Sequence, residues 1–449
     1  MRNLTSRARK LVWFVAIVLL VMPVVLLGMP AGADEAESGG LLSDLRAKYD
    51  LGESELGQID PTSATMNLLL LGLRGVAVNV LRMELDEYKN RKDWAQMQAT
   101  TEAVITLQPH YIEVWRFLGW NLAYNVSAEW DSVPERFYWV KEGGKFLQRG
   151  VKRNDRVPEL YFDTARIWGH KIGRSDEWRQ FRGYFLIDPD TKRFHGNADQ
   201  EINPQGNRDN YLVAKDWFHD ANDVELKQDQ HIMMRALFRS YPAKAQIEYA
   251  DALQREGKFE GKTVSAWQQA YANWTVRYET NEPGFGKEVF LTSNNCKIFM
   301  EADVDDVSQM ALDSDVHERV IRRELDFYHK TSNYLHWRLR CLAEKEKTMG
   351  MAHRLLHEGE ELYEQAEQEQ ARAKLLEGLQ RFEALLNTPQ FRTLRFEDNL
   401  VEEIMWGILL WRQTYLIIDQ EVPARFPLQD LWNAKQQLLP TLQSRLSRL

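Results

Sequence analysis

Apolar residues recur at helical spacing along most of this chain. Between Leu81 and Leu122, large apolar residues stand three and four positions apart, which is the spacing of one face of an α-helix. Nowhere does the sequence show the strict apolar–polar alternation that predicts a strand. The pattern over 316–386 predicts long, paired helices, since apolar residues there also alternate at three and four: Ile321, Leu325, Tyr328, Leu335, Leu339, Leu342, Met349 and Leu356. We therefore predict an all-α protein.

The stretch from Leu81 to Leu122 also contains a repeat. Thirty-four residues separate Leu81, Leu85 and Tyr88 from three residues of a second segment: Trp115, Gly119 and Leu122. A small residue such as Gly119 lets two helices approach closely, and Pro109 ends the preceding helix. The same spacing returns at Tyr161, Ala165 and Trp168, and more weakly over 242–274 and 363–389.

The run Trp115-x2-Leu118-Gly119-x2-Leu122 resembles the opening of a tetratricopeptide repeat (TPR). This resemblance implies a TPR-like superhelix of helical hairpins, an α-solenoid, with a long helical pair toward the C-terminus. Three segments interrupt the pattern, and we expect them to be loops or irregular: 125–136, 188–210 and 281–315. We predict six regions along the chain. They are a leader over 1–33, a linker over 34–60, a TPR-like helical region over 61–187, a polar loop over 188–210, a helical region over 211–315 with one TPR-like pair and the irregular stretch, and a region of long and C-terminal helices over 316–449.

The first 33 residues predict a targeting segment. Four basic residues precede an apolar run over 11–27, and Ala31-Gly32-Ala33 offers a cleavage pattern before Asp34. The segment is either cleaved or kept as an N-terminal membrane anchor through 11–27. Both outcomes place the body outside the cytoplasm, in the periplasm or cell envelope. Because residues 1–33 carry four of the positive charges and no negative ones, the net charge of −9 becomes −13 for the body, which argues against nucleic-acid binding.

Motifs for catalysis, cofactors or metals are weak. His353 and His357 share a helix face, as zinc ligands can, but no third ligand accompanies them, so we expect solvent-facing histidines. The acidic run at 301–306 lacks a calcium-loop pattern and predicts a solvated loop. Cys296 and Cys341 form no redox or haem motif, and we expect two buried thiols, although they could pair in an oxidising compartment.

The sequence therefore predicts no catalytic, cofactor-binding or metal-binding residues. Enzymatic activity stays open, and a protein without it is the favoured expectation. The TPR resemblance implies a scaffold that binds another protein or peptide. We expect four residues of the first helices to be exposed and to contact that partner: Arg82, Glu84, Arg116 and Asn121. The alternative is an envelope enzyme or ligand-binding protein, with a polar site beneath the 188–210 loop where His, Asp and Arg side chains would converge.

Overall fold

The computed structural model describes Met22 and residues 74–107, 109–228, 232–259, 261–278 and 281–447. The predicted leader (apart from Met22), the linker and the first part of the TPR-like region lie outside these residues. The chain divides into two compact units between Glu84 and Leu85, and the helices from Trp94 onward belong to the second unit. Of the first unit the structure describes mainly 74–84, the start of one helix. Among the described helices, none combines the length and apolar character that a membrane span requires.

Helices make up most of the described chain, as the apolar spacing predicted. The N-terminal helices are α1 Arg74–Arg91, α2 Trp94–Leu107, α3 Ile112–Trp120, α4 Val133–Arg153, α5 Pro158–Arg166, α6 Trp178–Leu186, α7 Thr191–Phe194, α8 Asn210–Leu226, α9 Arg235–Arg239, α10 Tyr241–Arg255 and α11 Gly261–Thr275. The C-terminal helices are α12 Val304–Ser314, α13 Glu318–Ser332, α14 Tyr334–Glu344, α15 Lys347–Glu364, α16 Gln368–Leu386, α17 Asp398–Leu416, α18 Gln429–Ala434 and α19 Leu439–Leu446. The helical content of the described residues confirms the prediction of an all-α protein.

Helices α3 and α5 share an unusual form. Each has nine residues and then passes into a π-helical turn, Asn121–Val126 after α3 and Ile167–Lys171 after α5. Residues 125–136 are therefore largely helical, and the predicted insertion shrinks to a short connection before α4. Ser132 caps α4 by accepting a hydrogen bond from the Glu135 amide.

Glycines bring α3 and α4 together. A Cβ on Gly119 would lie 2.5 Å from Leu147 Cγ, and one on Gly143 would lie 2.6 Å from the carbonyl oxygen of Gly119. A Cβ on Gly144 would collide with the Trp168 ring. These approaches explain why α4 tolerates glycines that reduce its intrinsic helix stability. The close packing predicted at Gly119 is present.

Replacing Gly119 by valine should lower the free energy of unfolding by about 1–3 kcal/mol, because Leu147 leaves no space for the added methyl groups. Thermal melts followed by circular dichroism would measure the loss. Gly183 is the matched control, since a Cβ there meets nothing within 4 Å. A Gly119→Val melt as high as that of Gly183→Val would contradict the observed packing.

The polar 188–210 segment packs against α4 through buried charges. Lys141 Nζ lies 2.5 Å from Asp188 Oδ2 and 3.3 Å from Asp199 Oδ2, and all three side chains are 2% exposed. Lys145 also contacts Asp199 at 2.6 Å. Removing one member of a buried ion pair is costly, so these contacts hold the segment against α4.

The 281–315 stretch is more regular than predicted. Its second half contains α12, which Asp303 and Asp306 begin with a capping box, so two of the acidic residues serve a helix end. Ahead of α12 is a small antiparallel hairpin of Phe290–Leu291 and Lys297–Ile298. The expectation that the chain has no strand was therefore wrong at this place.

Cys296 and Cys341 are both buried and unpaired, as expected for two thiols.

The region 316–386, predicted to form long, paired helices, contains four helices, α13 to α16. Asn333 adopts a left-handed conformation with φ of 55°, which ends α13 and changes the direction of the apolar face. Leu335, expected in the apolar seam, is consequently 60% exposed. Helices α15 and α16 do form a long packed pair.

Two hydrophobic cores meet near the end of α14. One gathers buried residues between 211 and 341, and the other gathers buried residues between 343 and 442. Arg340 and Glu344 lie at this junction, and both are buried. A cavity opens beside them.

Candidate functional site

The cavity at the junction, which we call the main cavity, has a volume of about 820 Å³. Its walls come from α6, α10, α14, α15, α17 and α19 and from the segments before α6 and after α10. Thirteen of its twenty lining residues are ionisable: Arg174, Arg179, Asp251, Arg255, Arg340, His353, His357, Glu360, Glu361, Glu364, Glu402, Glu403 and Arg445. Small-molecule pockets of this volume are mostly apolar, so this lining favours a charged or dipolar ligand.

One side of the cavity is basic. Arg174, Arg179 and Arg255 form this side, which we call the arginine wall, around the indole of Trp178. The guanidinium carbons of Arg255 and Arg179 lie 4.6 Å and 5.3 Å from the centroid of the Trp178 ring. Stacking on an aromatic ring fixes a guanidinium while leaving its edge available for hydrogen bonds.

Another part of the lining is acidic. Helices α15 and α17 supply four carboxylates, which we call the acidic wall: Glu360, Glu361, Glu364 and Glu402. Glu360 accepts a hydrogen bond of 2.7 Å from Arg445, whose guanidinium also covers the Trp406 ring at 4.1 Å. Glu364 and Glu402 are exposed. The cavity thus presents charged groups of both signs.

The cavity wall includes part of a charged network of Arg340, Glu344, Glu397, His353 and Glu403, all of which are buried except Glu403. Arg340 donates to Glu344 at 2.7 Å and contacts Glu397 at 2.7 Å. The side-chain amide of Gln254 donates to Glu344 at 3.0 Å, which ties α10 to α14 across the two cores. This network fixes the relative positions of the helices that carry the two walls.

His353 is part of the network, so the expectation of a solvent-facing histidine was wrong. It is 3% exposed, with Nδ1 2.7 Å from Glu403 and Nε2 3.1 Å from Glu344. Burial alone would lower the pKa of His353, but the two carboxylates outweigh burial and raise the pKa to about 10. At neutral pH the imidazole is therefore a cation whose two nitrogens both donate. His357, half-buried at the cavity edge, lies 3.5 Å from Glu361.

The same contacts act on Glu344. Burial would raise the pKa of this carboxyl, but the charges of His353 and Arg340 lower it to about 2. The network therefore contains two cations and three carboxylates when all its members are ionised.

The four residues predicted to contact a partner do not form one exposed set. Asn121 is fully buried and donates to the carbonyl of Phe117, so its expected exposure was wrong. Arg116 is half-buried and contacts Asp163 at 2.6 Å. Arg82 is exposed and Glu84 half-buried, both in the first compact unit. Their role in binding stays a prediction, but none of the four lines the main cavity.

The alternative function placed a site with converging His, Asp and Arg side chains beneath the 188–210 segment. In the structure, side chains of these three types line the main cavity instead. No residue of that segment lines the main cavity, although Asp209 lines an adjoining cavity of about 510 Å³ that shares Arg179 and Arg255. Within the described chain, no three His, Cys, Asp or Glu side chains lie where they could hold a metal ion.

The main cavity lacks several kinds of side chain that act as nucleophiles. None of its twenty lining residues is a serine, threonine, cysteine, lysine or tyrosine, the hydroxyl, thiol and amine nucleophiles of covalent catalysis. His353, protonated and engaged at both nitrogens, is not placed to accept a proton.

Comparison of the sequence with protein-family models and with curated proteins finds no match to either.

Proposed function

We propose that this protein is a helical-repeat scaffold that binds a segment of another protein in the main cavity. The observation that carries the proposal is a cavity lined by fixed charges of both signs, with a hydrogen-bonded network of charged side chains in its wall. Fixed charges of both signs select a partner with the complementary pattern and discriminate against others. A peptide segment with acidic and basic side chains has that pattern.

The arrangement of the hairpins is proposed to be TPR-like. The glycine contacts between α3 and α4 and the matching π-helical turns after α3 and α5 support a repeated unit. If α3 and α5 each begin one repeat, the two repeats start at Ile112 and Pro158, which are 46 residues apart. Each repeat would then be longer than a standard repeat of about 34 residues. Helices α10 and α11 form a further packed pair.

The site of action is proposed to be the cell envelope. The support is the basic start, the apolar run and the Ala31-Gly32-Ala33 pattern in the sequence. If the leader is cleaved, amino-terminal sequencing of the protein from its own cells should begin at Asp34. If the leader is kept, cell fractionation should find the intact chain in the membrane fraction. Intact protein in the soluble cytoplasm would contradict this proposal.

Filling the main cavity should abolish partner binding. Asn399 and Glu402 are exposed on one side of α17, and replacing both by tryptophan adds bulk without altering the arginine wall. Envelope extract would be passed over immobilised wild-type protein and over the Asn399→Trp/Glu402→Trp variant. We expect retention of the partner to fall at least about tenfold, since packing and charge complementarity are both lost.

The matched control is Glu369→Trp/Gln370→Trp. These two residues are also an amide and a carboxylate exposed on a helix, and they lie outside the cavity. The control should retain the partner as the wild type does. Equal retention by the cavity-filled variant would show that binding takes place elsewhere.

A further inference from the structure

We infer that the arginine wall is a subsite for a carboxylate group of the bound segment. The inference rests on the proposed function and adds to it the chemistry and orientation of the ligand. The acidic side chain of the ligand would lie against Arg255 and Arg179, and a neighbouring basic side chain would lie against the acidic wall.

The first observation is unused hydrogen-bonding capacity on Arg255. Its Nε and Nη2 atoms are buried, yet no described residue accepts a hydrogen bond from either. Asp251 Oδ2 lies 3.1 Å from Nε, but the two groups are not aligned for a hydrogen bond. A buried donor without an acceptor is costly, and a guanidinium fork matches the two oxygens of a carboxylate.

The second observation is the N-terminus of α6. Trp178 and Arg179 are the first residues of this nine-residue helix, and both line the cavity. The N-cap residue, Glu177, forms no capping hydrogen bond, because its side chain pairs with Arg136 instead. The Trp178 amide already donates to the Ser175 carbonyl, so the positive end of the helix dipole is what favours a nearby anion here.

A third unused donor lies elsewhere in the lining. Trp406 is 4% exposed, and its buried Nε1 has no acceptor among the described residues. The unsatisfied groups of the cavity lining are thus all donors, which calls for a ligand that supplies acceptor oxygens.

Charge balance favours a carboxylate over a phosphate. Asp251 Oδ2 lies 3.1 Å from Arg255 Nε, and Glu361 lines the adjoining cavity together with Arg179 and Arg255, so the local positive charge is small. A group with a single negative charge fits this balance, whereas a phosphate dianion would face additional repulsion. The exposed Glu364 and Glu402 then leave room for a basic side chain of the same ligand.

The test uses a short oligoglutamate peptide with blocked termini as the probe, measured by isothermal titration calorimetry at low salt. Wild-type protein should bind it, and Arg255→Gln should weaken the binding at least about tenfold. Arg179→Gln, at an exposed position with little influence on folding, should weaken it in the same direction. Arg323→Gln is the control, since Arg323 is 75% exposed, lies outside the cavity, and gives the same change in net charge.

Three results would overturn the inference. They are no binding of oligoglutamate by the wild type, binding by both arginine variants that is as tight as that of the wild type, or tighter binding of inorganic phosphate than of the peptide. The scaffold proposal fails separately, when the cavity-filled variant still retains the partner. Loss of the partner in that variant, together with full retention by Arg255→Gln, would refute the carboxylate subsite and leave the scaffold standing.

Discussion

Replacing Arg340 by methionine should lower the free energy of unfolding by about 3–5 kcal/mol. Arg340 is 5% exposed and contacts Glu344 and Glu397, both at 2.7 Å, with Asp251 at 3.9 Å. Methionine keeps much of the side-chain volume but leaves buried carboxylates without their cation. Urea unfolding followed by circular dichroism at neutral pH would measure the change.

The control for this prediction is Arg381→Met. Arg381 forms a similar i,i+4 pair with Glu377 at 2.7 Å, but both side chains are at least 40% exposed. Exposed pairs contribute about 0–1 kcal/mol, so the control should unfold almost as the wild type does. Equal effects of the two substitutions would mean that Arg340 does not hold the two cores together.

The pH dependence of stability should show the charge of His353. The pKa of this histidine is 6.5 in an unfolded chain and about 10 in the folded protein. Its stabilising contribution is therefore fully present below about pH 6.5 and is lost as the pH rises toward 10. At about 1.36 kcal/mol for each unit of pKa, the change amounts to several kcal/mol. Unfolding in urea at a series of pH values between 6.5 and 10 would measure the slope.

His353→Gln should be less stable at pH 6.5 and should lose much of the alkaline slope. His357→Gln should keep the slope of the wild type, because His357 is half-buried with Glu361 at 3.5 Å. Below pH 4.5 a second loss is expected, because Glu344 becomes protonated in the unfolded chain near pH 4.5 but in the folded protein only near its pKa of about 2. An alkaline slope that is identical in wild type and His353→Gln would contradict the charged state assigned to His353.

Local spacing predicted much of the fold. The helical face over 81–122 and the small residue at Gly119 were readable from the sequence, because helix packing follows from residues three and four apart. The division of 316–386 was not readable, because the left-handed residue that ends α13 is an asparagine within an otherwise helical pattern. The two-residue strands were too short to produce an alternating pattern.

The site could not be predicted, because its residues meet only after the helices pack. Glu403 and His353 are fifty positions apart, and Gln254 and Glu344 ninety. One signal was available in the sequence. Arg340 and Glu344 are four positions apart on one helix, and buried charged residues are usually paired, so the two could have been read as a buried ion pair. For His353 and His357 the sequence left a metal site or solvent exposure to choose between, and solvent exposure was expected. Burial of His353 between two carboxylates was not among these alternatives.

The most direct test of the central claim is photo-crosslinking from inside the main cavity. Phe259 lines the cavity, and a photoreactive phenylalanine analogue at this position would report whatever occupies it. The same analogue at Phe327, which is 58% exposed and outside the cavity, is the control. We expect a discrete protein adduct from position 259 alone, with the crosslinked peptide carrying an acidic and a basic side chain. Adducts of equal yield from both positions, or none from position 259 while the partner is retained, would contradict the account.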